Sequence, residues 1–302
     1  MATSVVTVPD TSTQLRDLIA LGKPRITLFV AITTGGGLLL AHRAGGPGAT
    51  SLPVPWPLAL CALLGTALIV AGANALNMYI EREIDGRMER TKRRPLPAGR
   101  LQPKVALIFG VVLSVLAVPV LALGVNLLTA FLAVLANILY VLAYTPLKQR
   151  SHHSLLVGAV PGAIPPLLGW TALTARVDAA GLVLFSILFL WQVPHFLAIT
   201  LFRREEYKRA GLVVMPNVVE EIAVRRAMVN FSVALLLVSL LLFPLGVAHL
   251  GYLIVAAVLG SVFLGFSLWG FRHGTGIRWA RSVFGISLLY IVLMMAALGL
   301  GV

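Results

Sequence analysis

The sequence predicts an all-α polytopic membrane protein, a bundle of about nine transmembrane helices around a cavity that opens to the cytoplasmic side. Three observations predict it. The 302 residues are 59% hydrophobic with a mean hydropathy of +0.94, above the ~45–50% apolar content of soluble domains. Runs long enough to cross a bilayer, ~17–25 apolar residues each, can be placed about nine times. Lysine and arginine fall almost entirely on one side of the resulting topology.

Residues 1–22 read as an N-terminal cytoplasmic segment, followed by one transmembrane domain over 23–302. Met1 to Thr13 are polar and lack the basic-then-apolar order of a cleaved leader. The first run, 24–42, contains Gly35-Gly36-Gly37, which reads as a surface for close helix packing rather than as a ligand loop. The second, 56–80, holds the sole cysteine, Cys61, so neither an internal disulfide nor a cysteine metal site exists. The third and fourth, 104–123 and 125–144, form a helix hairpin at Gly124. The fifth, 154–174, carries Pro161, Pro165 and Pro166, and the sixth, 181–202, carries Pro194. These prolines, with Pro146, are expected to interrupt or bound helices, which is tolerated at membrane depth where backbone lines a cavity. The runs 228–248, 251–270 and 282–301 complete the bundle.

With this count, all of the 24 lysines and arginines except Arg43 and Arg176 lie on one side. The positive-inside rule makes that side cytoplasmic, along with the N-terminus, and puts the C-terminus opposite, in the cell membrane. It also accounts for the formal charge of +13 without nucleic acid. The 11 acidic residues are more telling. Glu81, Glu83, Asp85 and Glu89 follow the second run, and Glu205, Glu206, Glu220 and Glu221 follow the sixth. Acids contribute little to topology, so their concentration at these two loops needs another cause.

Asn77, Glu81 and Asp85 are spaced by four, which places each about 40° round a helix from the last, on one face. Carboxylates at a membrane boundary are costly unless they meet a cation or a wet cavity. A divalent metal removes the repulsion between two of them. Arg87, Arg90, Lys92, Arg93 and Arg94 follow at once and suit an anion arriving with the metal. Carboxylates, Mg²⁺ and a diphosphate form a common arrangement, with Mn²⁺ equally suited to oxygen ligands. The bland alternative is a solvated loop that starts early, but the apolar run before Asn77 is long enough to keep it in the membrane. The stretch Phe202 to Gly211 reads either as a surface helix with paired charges or as the second half of a bipartite metal–polyanion site. His195, inside the sixth run, either satisfies a carbonyl freed by Pro194 or serves function. Glu206, eleven residues on, falls on nearly the same helix face, which aims His195 at the cavity. Haem ligation and proton transfer both suit it. His152 and His153 sit at a cytoplasmic loop end.

At this point the residues resemble a known family. Asn77-x-x-x-Glu81-x-x-x-Asp85-x-x-Met88-x-Arg90-Thr91-x-x-Arg94-Pro95 is similar to the first signature of the intramembrane prenyltransferases typified by UbiA. Lys23-Pro24-Arg25, Tyr144-Thr145-x-x-Lys148, Gly158-x-x-x-Gly162-Ala163-x-Pro165-Pro166-x-x-Gly169-Trp170 and Trp191-x-x-Pro194-His195-Phe196 resemble its haem-farnesylating branch. So do Tyr207-x-x-Ala210-Gly211 and Met215-Pro216. The match runs from residue 23 to about 217, with Trp279-Ala280-x-Ser282 and Tyr290 as weaker echoes. Glu81, and the pair Glu205-Glu206, stand where the family usually has Asp, and Gln192-Val193 replaces what is often Thr-Pro.

The resemblance implies transfer of a farnesyl group from farnesyl diphosphate to a vinyl group of haem B, with addition of water. Asn77, Glu81, Asp85, Glu205 and Glu206 would hold Mg²⁺. Lys23, Arg25, Arg90, Arg94, Lys148 and Arg203 would neutralise the diphosphate. His195 would contact haem or handle the proton, and Arg209 would suit a propionate. Terminal-oxidase partners that receive the product are a further expectation. A quinone-precursor ring or another porphyrin is the alternative acceptor. A transporter would need polar groups through its full depth, and a purely structural subunit leaves both acidic clusters unexplained.

Overall fold

The computed structural model describes residues 11–45, 54–272 and 276–300. Among them, nine helices are long and apolar enough to cross a membrane. The first described element is instead a short helix, α1 (Thr11–Leu21), tied down by a bidentate pair between Arg100 and the buried Asp17 at 2.8 and 3.0 Å.

The spans are α2 (Pro24–Arg43), α3 (Trp56–Asp85), α4 (Pro103–Gly124), α5 (Leu127–Leu147), α6 (Ser154–Thr174), α7 (Ala179–Phe202), α10 (Glu221–Leu240), α11 (Leu250–Trp269) and α12 (Ile277–Leu300). Two short helices, α8 (Arg204–Arg209) and α9 (Met215–Val218), lie between α7 and α10. Helices α2 and α6 sit centrally. α6 packs on α2, α5 and α7, α3 packs on α2 and α4, α10 and α12 pack on α7, and α11 packs on α10 and α12. Arg43 at the end of α2 donates to the Leu298 carbonyl at 2.8 Å, so α12 finishes at the far end of the bundle from Lys23.

The α2–α6 crossing explains one glycine of the Gly35-Gly36-Gly37 run. A Cβ on Gly37 would overlap the Pro166 carbonyl, and one on Gly169 would overlap that of Thr34. Backbone approaches backbone here, as small residues permit in membranes. Gly35 makes only ordinary contact, with Leu63. The α4–α5 hairpin forms as expected. Asn126 caps α5 by accepting from the Thr129 amide at 2.8 Å and donates to the Thr171 carbonyl at 2.8 Å.

Three expectations are corrected. Pro161, Pro165, Pro166 and Pro194 lie inside continuous helices and break none. Each proline loses one backbone bond, whereas a full break in a water-free interior would orphan several. Gln192 also braces the proline-rich pair by donating to the Ala159 and Leu188 carbonyls. The seventh span is Glu221–Leu240, not 228–248. The apolar run continues past Leu240, but Pro244 cannot donate to the Leu240 carbonyl and the chain turns. At the other end Glu221 pairs with Arg225 one turn on, which carries the helix into the charged segment. Finally, α3 extends beyond residue 80 to Asp85, a ~45 Å rod over 30 residues.

Candidate active site

The last two turns of α3 carry Asn77, Glu81 and Asp85 down one face, as their spacing requires, and all three are buried (1%, 7% and 1% exposed). They line a cavity of about 220 Å³ at the mouth end of the bundle. Two carboxylates ~6 Å apart repel by about 3 kcal/mol at an effective dielectric of ~20, so the face is stable only with cations on it. Three are present. Lys23 donates to Asn77 Oδ1 at 2.9 Å, Lys148 meets Glu81 Oε1 at 2.8 Å, and Arg94 meets Asp85 Oδ2 at 2.6 Å.

Local structure places each cation. Lys23 has a left-handed backbone (φ 47°) that turns the chain from α1 into α2. Lys148 follows a π-helical turn in α5, Leu139–Tyr144, and its ammonium lies 4.4 Å from the Tyr144 ring centre. Thr145 closes that turn by donating to the Tyr140 carbonyl at 2.8 Å and accepts from Asn77 Nδ2 at 3.1 Å. Arg94 comes from the turns after α3, which Thr91 pins by donating to the Asp85 carbonyl at 2.8 Å. Burial, with the Arg94 and Lys148 charges, pushes the Lys23 ammonium down to about 7. Burial also opposes the charge on Lys148, but Tyr144 and Glu81 outweigh it and hold that ammonium above the usual lysine range.

The two loops do meet. Ile84, Met88, Ala210 and Leu212 form an apolar contact, flanked by Tyr207 and Val214. Glu206 accepts from the Arg90 amide at 3.2 Å and pairs with Arg203 at 2.8 Å. Partial burial raises the Glu206 carboxyl, but Arg203 and the Arg90 amide outweigh this and keep it below the ordinary range. Arg90 lines the cavity, while Arg203 and Glu206 do not. Glu205 and Arg25 are exposed and do not line it. Arg209 is exposed and donates to the Glu205 carbonyl.

His195 is not in the cavity wall either. Helix α7 ends at Phe202, and Arg203 leaves helical geometry, so His195 and Glu206 do not share one helix. His195 lies one turn deeper than Ile199, which does line the cavity, and its Nδ1 is 2.6 Å from Ser287 Oγ on α12. The apolar lining residues Ile26, Leu155, Leu197, Ile199, Leu212 and Val214 had no distinguishing sequence signal, because every span is apolar.

Whether this face suits a divalent metal is answered by one atom. Asp85 Oδ1 is buried and has no hydrogen-bond partner. An orphaned carboxylate oxygen beside Glu81 and Asn77 fits a hard cation held by oxygen ligands. Among the described residues no three acidic, histidine or cysteine side chains cluster as a closed metal cage. With Asn77, Glu81 and Asp85 alone as protein donors, a Mg²⁺ here would need substrate phosphates to complete its oxygen shell.

The family model of the UbiA prenyltransferase family matches residues 29–296. The chain belongs to the UbiA prenyltransferase family. Within that family it is similar to a protoheme IX farnesyltransferase from Sorangium cellulosum, 52% identical over 279 residues that take in 90% of this chain and 100% of that protein. A protoheme IX farnesyltransferase from Myxococcus xanthus is 50% identical, over 94% of each chain. Among solved structures, a digeranylgeranylglyceryl phosphate synthase has the same fold, with a TM-score of 0.81 at 17% identity over 96% of this chain and 98% of that one. A UbiA homolog from Archaeoglobus fulgidus, solved bound to DMAPP and Mg²⁺, has a TM-score of 0.61 at 18% identity, over 91% and 98% of the two chains.

Proposed function

We propose that this UbiA-family protein transfers the farnesyl group of farnesyl diphosphate to a vinyl group of haem B, with addition of water, giving haem O. The observation that carries the reaction class is the buried, unpartnered Asp85 Oδ1 in a cavity whose wall also holds Glu81, Lys23, Lys148, Arg90 and Arg94. The acceptor follows from the similarity to protoheme IX farnesyltransferases over nearly their whole length.

Asn77, Glu81 and Asp85 would hold Mg²⁺ or Mn²⁺, with Glu205 and Glu206 contributing from the α8 segment. When bound, the metal neutralises charge on the diphosphate as it leaves. Lys23, Lys148, Arg90 and Arg94 bind the diphosphate oxygens, and Arg25 and Arg203 would add positive charge from outside the cavity lining. These cations stabilise the negative charge that develops as the allylic C–O bond breaks and its electron pair leaves with the diphosphate. The apolar wall excludes water from the farnesyl cation. The vinyl π pair then forms the new C–C bond to farnesyl C1. Water adds to the resulting cation beside the porphyrin and gives up a proton, leaving a hydroxyethyl-farnesyl substituent. His195 would contact the haem or take part in that proton transfer. The mouth faces the cytoplasm, as the basic loops favour, and terminal-oxidase partners would collect the product there.

The test uses purified protein with haem B, farnesyl diphosphate and Mg²⁺, with mass spectrometry of the extracted haem. The expected product is heavier by one farnesyl group plus one hydroxyl group, the proton of the added water being released. No product, together with Mg²⁺-dependent binding of farnesyl diphosphate, would keep the prenyltransferase chemistry and remove haem as the acceptor.

A further inference from the structure

The contact between His195 and Ser287 has a direction. Ser287 Oγ lies 2.6 Å from the Phe284 carbonyl, which can only accept, so the single hydroxyl proton points there. Ser287 Oγ therefore accepts from His195 Nδ1 at 2.6 Å. This fixes the Nδ1–H tautomer and leaves a lone pair on Nε2. Nε2 has no hydrogen-bond partner among the described residues, and His195 as a whole is 7% exposed.

What surrounds His195 is flat and aromatic. Trp191 stacks on it at 4.7 Å, Phe284 lies at 5.0 Å, and Phe196 meets it edge-on at 5.3 Å. Phe196 also lines the catalytic cavity, so the aromatic shelf adjoins the reacting space. Towards the mouth, Phe284 contacts Phe202, and that ring carries two guanidinium groups, Arg203 at 5.8 Å and Arg281 at 6.0 Å. Arg281 is exposed and has no carboxylate partner among the described residues. From His195 to Phe202 is seven residues, ~10 Å along α7, comparable to the reach from the centre of a porphyrin to its carboxylate edge.

We propose that the α7–α12 seam holds the porphyrin of the acceptor, with His195 Nε2 as axial ligand to its iron, Ser287 as the positioning residue that orients His195, and Arg281 facing a propionate. Imidazole is a frequent axial ligand, and a ligating histidine generally donates its other ring N–H to a fixed acceptor. An aromatic ligand with a metal centre and an anionic edge matches the order of groups along the seam. The assignment rests on haem being the acceptor.

The test is resonance Raman of purified protein with ferrous haem B, reading the iron–imidazole stretch, alongside haem titration and Mg²⁺-dependent farnesyl diphosphate binding as a folding control. Wild-type protein is expected to show the band. His195→Ala should lose it and regain it with added imidazole. Ser287→Ala should shift the band and weaken haem binding roughly tenfold, while Ser287→Thr keeps both near wild type. If His195→Ala retains the band, or Ser287→Ala matches wild type in band and affinity, the assignment falls. Haem that is bound and farnesylated without an iron–imidazole band removes this assignment and leaves the proposed reaction standing. If the wild-type protein binds no haem, both fail together.

Discussion

At the scale of single residues, Asp85 is the side chain on which the proposed reaction is expected to depend most. One oxygen is held by Arg94 and the other is buried without a partner, so the residue keeps half of its coordinating capacity free. Asp85→Asn keeps the size, loses the charge and turns one oxygen into a donor. Farnesyl transfer should fall at least ~10²-fold, the scale at which a charge-stabilising group in a dry site acts, while detergent-solubilised yield stays unchanged. Turnover by mass spectrometry checks it, and near-normal turnover would remove Asp85 from the metal face. The spacing of Asn77, Glu81 and Asp85 made this face legible in the sequence, because a helix converts a period of four directly into a shared side. The surroundings of His195 were not legible. Its link to Glu206 assumed an unbroken helix, and the departure from helical geometry at Arg203 is a local backbone event that residue spacing does not report.

At the scale of elements, the contact that fixes the centre of the bundle is backbone on backbone, at Gly37 and Gly169. A side chain can rotate away from a collision and a carbonyl in a helix cannot. Gly169→Val should therefore cost at least the ~1–3 kcal/mol typical of overpacking, seen as a large drop in thermal stability or loss of monodisperse protein. Gly35→Ala, where the space is open, should be neutral. An unaltered melting temperature for Gly169→Val would mean that α2 and α6 are not in contact there. Eight of the nine expected spans overlap their helices closely, because length and apolarity set them. The seventh shifted, because hydropathy reads straight through the Leu241 to Gly246 segment while Pro244 ends the hydrogen-bond ladder inside it. The π-helical turn that delivers Lys148 also escaped notice, since nothing in the composition of Leu139–Tyr144 distinguishes it from ordinary helix.

At the scale of the whole molecule, nine spans put the described ends at opposite faces, with Asp17 at the mouth and Leu298 beside Arg43. Cys61 is the sole cysteine, so a Cys61→Ser background permits single-site labelling. A cysteine replacing Arg93 should react with an impermeant reagent from one side of the membrane, and one replacing Arg176 only from the opposite side. Labelling of both from one side would break the nine-span topology.

The pairing of Lys148 with Glu81 and of Arg94 with Asp85 makes the pocket an ion exchanger already loaded with its own counter-ions. A metal–diphosphate complex brings both signs at once. Glu81 and Asp85 would then face the cation, and Lys148 and Arg94 would be free to turn to the phosphate oxygens, so that no charge would be left bare at membrane depth. Either half arriving alone would strand the other side of each pair, at the high cost of an unpaired buried charge. Metal and prenyl diphosphate should therefore load together, each weakly without the other.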